Sequence, residues 1–360
     1  MMESSNTNAR NADSGSMHKF PWKWNLSDLD KVKKNGLKVF SCFSCGGGSS
    51  MGYKLAGYTV IGNCEIDPRV AAVYKVNNHP KHSFLMDIRE FNKLEELPED
   101  LNDLDVLDGS PPCSVFSLAG RREEGWNKEK VFREGQAKQR LDDLFFHFID
   151  TAKKLNPKVV VAENVEGLLV KNARGYVNEI VKAFDEAGYV IQMFLLDARF
   201  MGVPQKRRRV FFVGHRKDLD FPKLEMTFNE KPILFREIRS ADGIDLKEGK
   251  TKELLSRRKR GDTDLSDIYM RECGKKSGFT QPINADDDVA FTITSGGTHI
   301  RFCDGKRMTN EDIINCQTFP QDYDFLNQKP QYICGMSVPP VMMAQVSSRI
   351  YEQWFYKANK

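Results

Sequence analysis

From Leu37 onward, apolar residues gather into short runs separated by amphipathic stretches. Residues 37–43, 58–65, 83–86, 104–107, 158–162, 190–196 and 210–214 read as buried strands by length and β-branched content. Between them, 140–155 and 176–188 carry apolar residues at helical spacing. Such alternation predicts a doubly wound α/β sheet with helices on both faces. From Arg216 to Phe319 the alternation stops, and the polar, irregular composition there predicts a smaller second domain. A long helix over 338–351 then starts after Pro339-Pro340, with Val341, Met342, Val346 and Ile350 on its apolar side. It is expected to return to the sheet, which makes the smaller domain an insertion. Residues 1–17 are rich in Ser, Asn and Gly and are expected to be disordered.

A chain of 360 residues holds enough core to fold without covalent staples. Its eight cysteines are scattered and no apolar leader precedes a cleavage site, so a reduced, cytoplasmic protein is expected. No run approaches the roughly 18 apolar residues of a membrane span. Cys42 and Cys45 form a CxxC with no second pair at suitable spacing, so no metal is expected. The formal charge of +4 is only mildly basic and does not by itself indicate nucleic acid. Two local clusters say more: Lys206 to Arg209 and Arg257 to Arg260 contain no acid.

The chemistry-bearing residues lie where predicted strands end. Phe43-Ser44-Cys45-Gly46-Gly47-Gly48 follows the first strand, and its three glycines let backbone approach a ligand closely. Glu65 ends the second strand with Ile66 beside it, placed to reach ribose hydroxyls and to pack on a flat ring; Asp87-Ile88 follows the third strand, placed to hold a base. The glycine spacing differs from G-x-G-x-x-G and leans away from a dehydrogenase, yet nicotinamide and adenosyl cofactors both remain open. Asp108-Gly-Ser-Pro-Pro-Cys113 leaves the fourth strand. Its two prolines fix φ and remove two backbone donors, so Cys113 is carried in one stiff direction, as suits a nucleophile. Glu163-Asn164-Val165 leaves an apolar strand on the same rim. Partial desolvation there favours the protonated carboxyl that can donate near neutrality, although a helix-capping glutamate has the same signature. Gln205, Arg207 and Arg209 alternate into the last strand and are expected to share one face.

In that order, with Gly335-x-Ser337-Val338 after them, these motifs resemble the DNA (cytosine-5) methyltransferases over Leu37 to Tyr351. The resemblance implies a Rossmann-like, S-adenosylmethionine-dependent methyltransferase sheet with an inserted target-recognition domain. Its implied parts are an N-terminal extension over 1–36, a catalytic and cofactor-binding domain over 37–215, target recognition over 216–325 and a returning segment over 326–360. Cys113 is implied to add to carbon 6 of a flipped-out cytosine in double-stranded DNA, mounted by Pro112. Glu163 is implied at N3 and the 4-amino group, with Asn164 beside it among the catalytic residues, Arg209 at O2, and Arg207 as helper near the nucleophile. For the cofactor, the resemblance implies Phe43 and Ile66 on adenine, Asp87 on its amino group with Ile88, and Glu65 on ribose. Gly46, Gly47 and Gly48 fall near the methionine part, and Ser110, Leu144 and Ser337 along the pocket. Residues Ser114 to Gln136 are implied to close over DNA. Three positions depart from the family pattern: Cys45 stands where Gly is usual, Ser114 where Gln is common, and Met336 where Asn is usual.

The resulting expectation is a monomeric enzyme that methylates carbon 5 of cytosine in duplex DNA. Alternatives are an RNA (tRNA) cytosine-5 methyltransferase, a catalytically silent DNA-binding relative, and a nicotinamide oxidoreductase.

Overall fold

The computed structural model describes residues 18–112, 143–169, 174–275, 278 and 281–356. Cys113, the segment Ser114 to Gln136 and residues 1–17 lie outside these.

Seven strands form the central sheet: β1 Lys38–Cys42, β2 Thr59–Glu65, β3 His82–Leu85, β4 Val106–Gly109, β5 Val159–Val165, β6 Tyr189–Asp197 and β7 Arg208–Arg216. Their order is β3-β2-β1-β4-β5-β7-β6. Neighbours pair in parallel except β7, which is antiparallel to both β5 and β6. The interior strands are buried on both faces, which is why Val159-Val160-Val161-Ala162 is continuously apolar rather than alternating. Strand β6, at the edge, is mostly half-buried or exposed, with only Tyr189 and Leu196 buried.

Helices α1 Gly48–Leu55, α2 Pro68–Asn78, α3 Ile88–Lys93, α4 Leu144–Leu155, α5 Arg174–Glu186 and α6 Pro340–Ile350 flank the sheet. One face is sealed by Phe91, Phe145, Phe148 and Phe184 from α3, α4 and α5; the other by Tyr53 from α1 and by Val341, Met342, Val346 and Ile350 from α6. The predicted C-terminal helix thus does return to the sheet. Gly52 makes its seating possible, because a Cβ there would meet Pro340 O at 2.5 Å and Met343 Cβ at 2.6 Å.

Between β7 and α6 the chain forms short helices and two-residue strands around a small core of Leu255, Leu265, Ile268, Ile283 and Ile300. Arg301, almost fully buried, ties this region together through Asp304 at 2.9 Å and Asp312 at 3.7 Å. Residues 18–36 also pack: Trp24 is buried and its indole N–H donates to Thr318 O at 2.9 Å. Among the described residues, no helix is long and apolar enough to cross a membrane.

In the parallel register Cys42 lies beside Cys64 and Gly109, and Gly109 beside Ala162, so the strand ends share one rim. Connections run outward in opposite directions from β1 and β4. The crevice between those two strands is therefore where an open α/β sheet takes a ligand.

Candidate active site

A cavity of about 360 Å³ opens on this rim. Of the residues expected at the site, Phe43, Glu65, Ile66, Asp87, Ile88 and Leu144 line one part of it. Ser110, Pro112, Glu163, Asn164, Arg207 and Arg209 line the rest. Gly48 and Ser337 line a smaller recess beside it. Gly46 and Gly47 do not line either space.

The glycines have a different physical reason from the one the sequence suggested. A Cβ on Gly46 would meet Ile333 Cγ2 at 2.3 Å, on Gly47 Asn78 Nδ2 at 2.1 Å, and on Gly48 Val338 O at 2.1 Å. Each is small because protein packs against it. The loop is also bent: Phe43, Cys45 and Gly47 have φ of 52°, 45° and 81°. Two side-chain-bearing residues in the left-handed region store strain of about 1–3 kcal/mol each. This explains why glycine is the natural choice at position 45. The Cys45 thiol donates to nothing charged; Ser337 Oγ lies 3.7 Å away, and burial pushes the thiol up to about 12.

Glu65 holds the loop to the second strand. Its Oε2 accepts from the Cys45 backbone N–H at 2.9 Å, and Oε1 from those of Ile66 and Asp67, both at 3.0 Å. Burial raises this carboxyl above its ordinary range, while the three N–H groups pull it back. Asp87 caps α3, accepting from Arg89 N at 2.8 Å and from Arg89 Nη1 at 3.0 Å.

On the other side of the cavity Asn164 fixes the proline turn, donating from Nδ2 to Pro111 O at 3.1 Å. Glu163 is buried as expected, but it is not an isolated acid: Arg209 Nε lies 3.0 Å from its Oε1. Burial lowers the affinity of the Arg209 guanidinium for its proton, and Glu163 offsets this.

Gln205, Arg207 and Arg209 do not lie on one strand. Gln205–Lys206 is a separate short strand paired with Ala290–Phe291, and the chain breaks at Arg207 before β7 begins. The long-range pairing captures the first two residues, which alternation along the chain cannot reveal. The side chains still converge. Gln205 accepts from Ile293 N at 2.8 Å and donates to Cys316 O at 3.0 Å and Gln317 Oε1 at 2.7 Å. Arg207 donates to Ile293 O at 3.0 Å, Gly335 O at 3.2 Å and Ser337 O at 2.9 Å. One buried guanidinium thus ties together the 293–295 loop and the 335–337 turn, which pack against each other where a Cβ on Gly335 would meet Thr294 C at 2.2 Å.

Sequence reasoning missed several wall residues: Cys64, Asp67, Val70, Met86, Ile293 and Tyr332. Thr294 and Ser295 also line the cavity, and nothing in their spacing along the chain aims them at it. Met336, a departure already visible in the sequence, lines both the cavity and the recess.

Comparison with known proteins bears on what such a site does. Residues 37–352 match the C-5 cytosine-specific DNA methylase family. The chain is 28% identical over 356 residues to the Type II methyltransferase M.NgoPII of Neisseria gonorrhoeae, covering 88% of this chain and 96% of that one. It is 37% identical over 192 residues to M.FnuDI of Fusobacterium nucleatum, covering 53% of this chain and 51% of that protein. Among solved structures, an E. coli prophage protein described as a DNA modification methyltransferase superposes with a TM-score of 0.64 at 20% identity, over 90% of this chain and 100% of that one. That likeness shows the fold. With the family match spanning the sheet, the cavity walls and the returning helix, the chain belongs to the C-5 cytosine-specific DNA methylases and is a DNA (cytosine-5-)-methyltransferase.

Proposed function

We propose that this protein transfers a methyl group from S-adenosylmethionine to carbon 5 of a cytosine rotated out of duplex DNA, through a covalent adduct between Cys113 and carbon 6. The observation that supports this most is the shared cavity. The Glu163–Arg209 pair and the Asn164-anchored proline turn lie on its one side, and Glu65 and Asp87 on the other. A donor and an acceptor of a methyl group need such adjacency.

The residues present fit the cofactor. A cavity of about 360 Å³ suits a nucleoside-sized ligand, Glu65 keeps about one lone-pair site, on Oε2, beyond its three backbone bonds for a ribose hydroxyl, and Phe43 and Ile66 offer apolar surface for adenine. Asp87 would take the adenine amino group. When bound, S-adenosylmethionine supplies an electrophilic methyl group.

Carbon 5 of cytosine is a weak nucleophile until a thiolate adds to carbon 6. Cys113 makes that bond, and Pro111-Pro112, held by Asn164, directs it. Glu163 hydrogen-bonds N3 and the 4-amino group, stabilising charge as the thiolate adds, while Arg209 meets O2. After methylation, loss of the carbon 5 proton and breakage of the sulfur–carbon 6 bond restore the aromatic base and free the thiolate. Extruding the nucleotide costs roughly a few kcal/mol, which phosphate contacts from the 216–325 region would offset. We read the 216–325 region as the target-recognition domain, the enzyme as a monomer on DNA, and its setting as the modification arm of a restriction–modification pair, in line with the Type II relatives.

Incubation with radiolabelled S-adenosylmethionine and either duplex DNA or transfer RNA tests the reading. Label at cytosine carbon 5 of DNA alone is expected; label confined to transfer RNA, or none, overturns it.

A further inference from the structure

The hexapeptide that opens at Asp108 contains a carboxylate that the reaction above does not use. Asp108 lies in β4 opposite Ser41 of β1 and is 2% exposed. Ser41 Oγ donates to its Oδ2 at 2.9 Å. Its Oδ1 and the buried Tyr53 hydroxyl make no hydrogen bond of good geometry among the described residues, although Tyr53 and Ser49 lie close enough to favour the ionised carboxyl. A carboxylate at that depth with a single well-formed hydrogen bond, from Ser41, calls for a physical reason.

The recess beside it supplies one. It measures about 10 Å³, room for about one water, and Asp108, Ser41, Ser44, Ser49, Ser110 and Ser337 are among the residues that line it. No cationic side chain reaches it. Phe43, Cys45, Ser110 and Met336 line both the recess and the main cavity, so the two adjoin. The recess lies on the glycine-loop side, where the family resemblance puts the methionine part of the cofactor. That part carries two cations, and only the α-ammonium can donate hydrogen bonds to a wall of acceptors; the sulfonium cannot.

We infer that Asp108 is the counter-charge for the α-ammonium group of S-adenosylmethionine, meeting it directly or through one water held in the recess. This rests on the proposed use of that cofactor and deepens it.

Charge and burial agree with the geometry. Burial pushes the Asp108 carboxyl up to about 7 against the pull of Ser41, and Glu163 on β5, itself paired with Arg209, pushes the same way. The other titratable groups facing it are Cys42 on β1, Tyr53 on α1 and Tyr74 on α2, all raised by burial and so neutral near pH 7. A bound ammonium favours the anionic form of Asp108. Binding therefore releases a proton near neutrality, and affinity rises with pH until Asp108 is already ionised.

Calorimetric titration of the native protein and of Asp108→Asn at pH 6.5 tests this with three ligands: S-adenosylmethionine, S-adenosylhomocysteine and 5′-methylthioadenosine. The first two carry the ammonium, which stays protonated below its pKa of about 8, and the third has no amino-acid part. Asp108→Asn is expected to weaken the first two about tenfold and to leave the third within about twofold, as the loss of one buried counter-charge implies. Native affinity for the first two should rise about tenfold from pH 5.5 to 7 while that for the third stays flat, which also controls for titration of Glu65. Repeating the native titration in two buffers of different ionisation enthalpy should reveal proton release, a readout that holds even if the variant fails to fold. Equal weakening of all three ligands, no weakening of any, or no proton release overturns the role of Asp108. A native protein that binds none of them overturns the proposed function as well, so the two failures are distinguishable.

Discussion

Arg207→Met removes the guanidinium that ties the 293–295 loop to the adjoining 335–337 turn while keeping an unbranched side chain of similar length. The carbonyls of Ile293 and Gly335 lose this donor, and Ser337 O is left with Gln317 Nε2 at 2.7 Å. Bonds to a charged donor contribute about 1.5–3 kcal/mol each, but the substitution also relieves the burial of a charge beside Arg209 and of an Nε with no partner among the described residues. A net loss of about 3 kcal/mol is the reasonable balance. With an unfolding entropy of about 2.1 cal/mol/K per residue over 360 residues, that lowers the melting midpoint by about 4 °C. Because the 293–295 loop and the 335–337 turn are no longer tied, kcat/KM on duplex DNA should fall by about 10²-fold, the effect of misplacing cavity walls by about 1 Å. Arg207→Lys, which keeps the charge and reaches fewer carbonyls, should fall between. Scanning calorimetry and steady-state methyl transfer measure both quantities. A midpoint within about 1 °C of native together with unchanged kcat/KM would refute the bridging role.

Gly52→Ala puts a Cβ 2.5 Å from Pro340 O, so α1 and α6 must separate; a loss of about 1–3 kcal/mol in urea unfolding is expected, and no loss would contradict the close approach. Glu163→Gln should lower the methyl-transfer rate by about 10²–10⁴-fold with duplex DNA binding by gel shift nearly unchanged. Asp108 also sets a pH dependence of stability. Its folded-state value, raised from 3.8 to about 7, means that the folded protein holds an extra proton across that window, so stability falls as pH rises through it. Asp108→Asn abolishes this component and should gain stability relative to native by up to about 4 kcal/mol at pH 8 and by little at pH 4; parallel melting curves across pH would contradict it.

The sheet was legible because its interior strands are buried on both faces and so appear as unbroken apolar runs, Val159 to Ala162 most plainly. The rim residues were legible for the same reason, since they are the first polar positions after those runs. What failed to show was set by partners distant in the chain. Gln205–Lys206 looked continuous with β7, yet it pairs with Ala290–Phe291 and leaves Arg207 at a break. The three glycines signalled a tight loop, but not whether protein or ligand lay against each Cα; Asn78, Ile333 and Val338 supply the answer. Glu163 gave no hint of Arg209, because an ion pair between adjacent antiparallel strands depends on a register that sequence alone does not set. Residues 18–36 carry a signal of their own: Phe20, Trp22 and Trp24 are large apolar groups too close together to be left to solvent, and Trp24 is buried.

The central claim is that Cys113 attacks a cytosine presented to the rim of this cavity. Duplex DNA carrying 5-fluorocytosine at target positions blocks release, since fluorine replaces the proton that must leave carbon 5. With S-adenosylmethionine present, the native protein is predicted to form a DNA adduct that survives denaturing electrophoresis, and Cys113→Ser to form none. No adduct with the native protein, or an equal one with Cys113→Ser, would contradict the account.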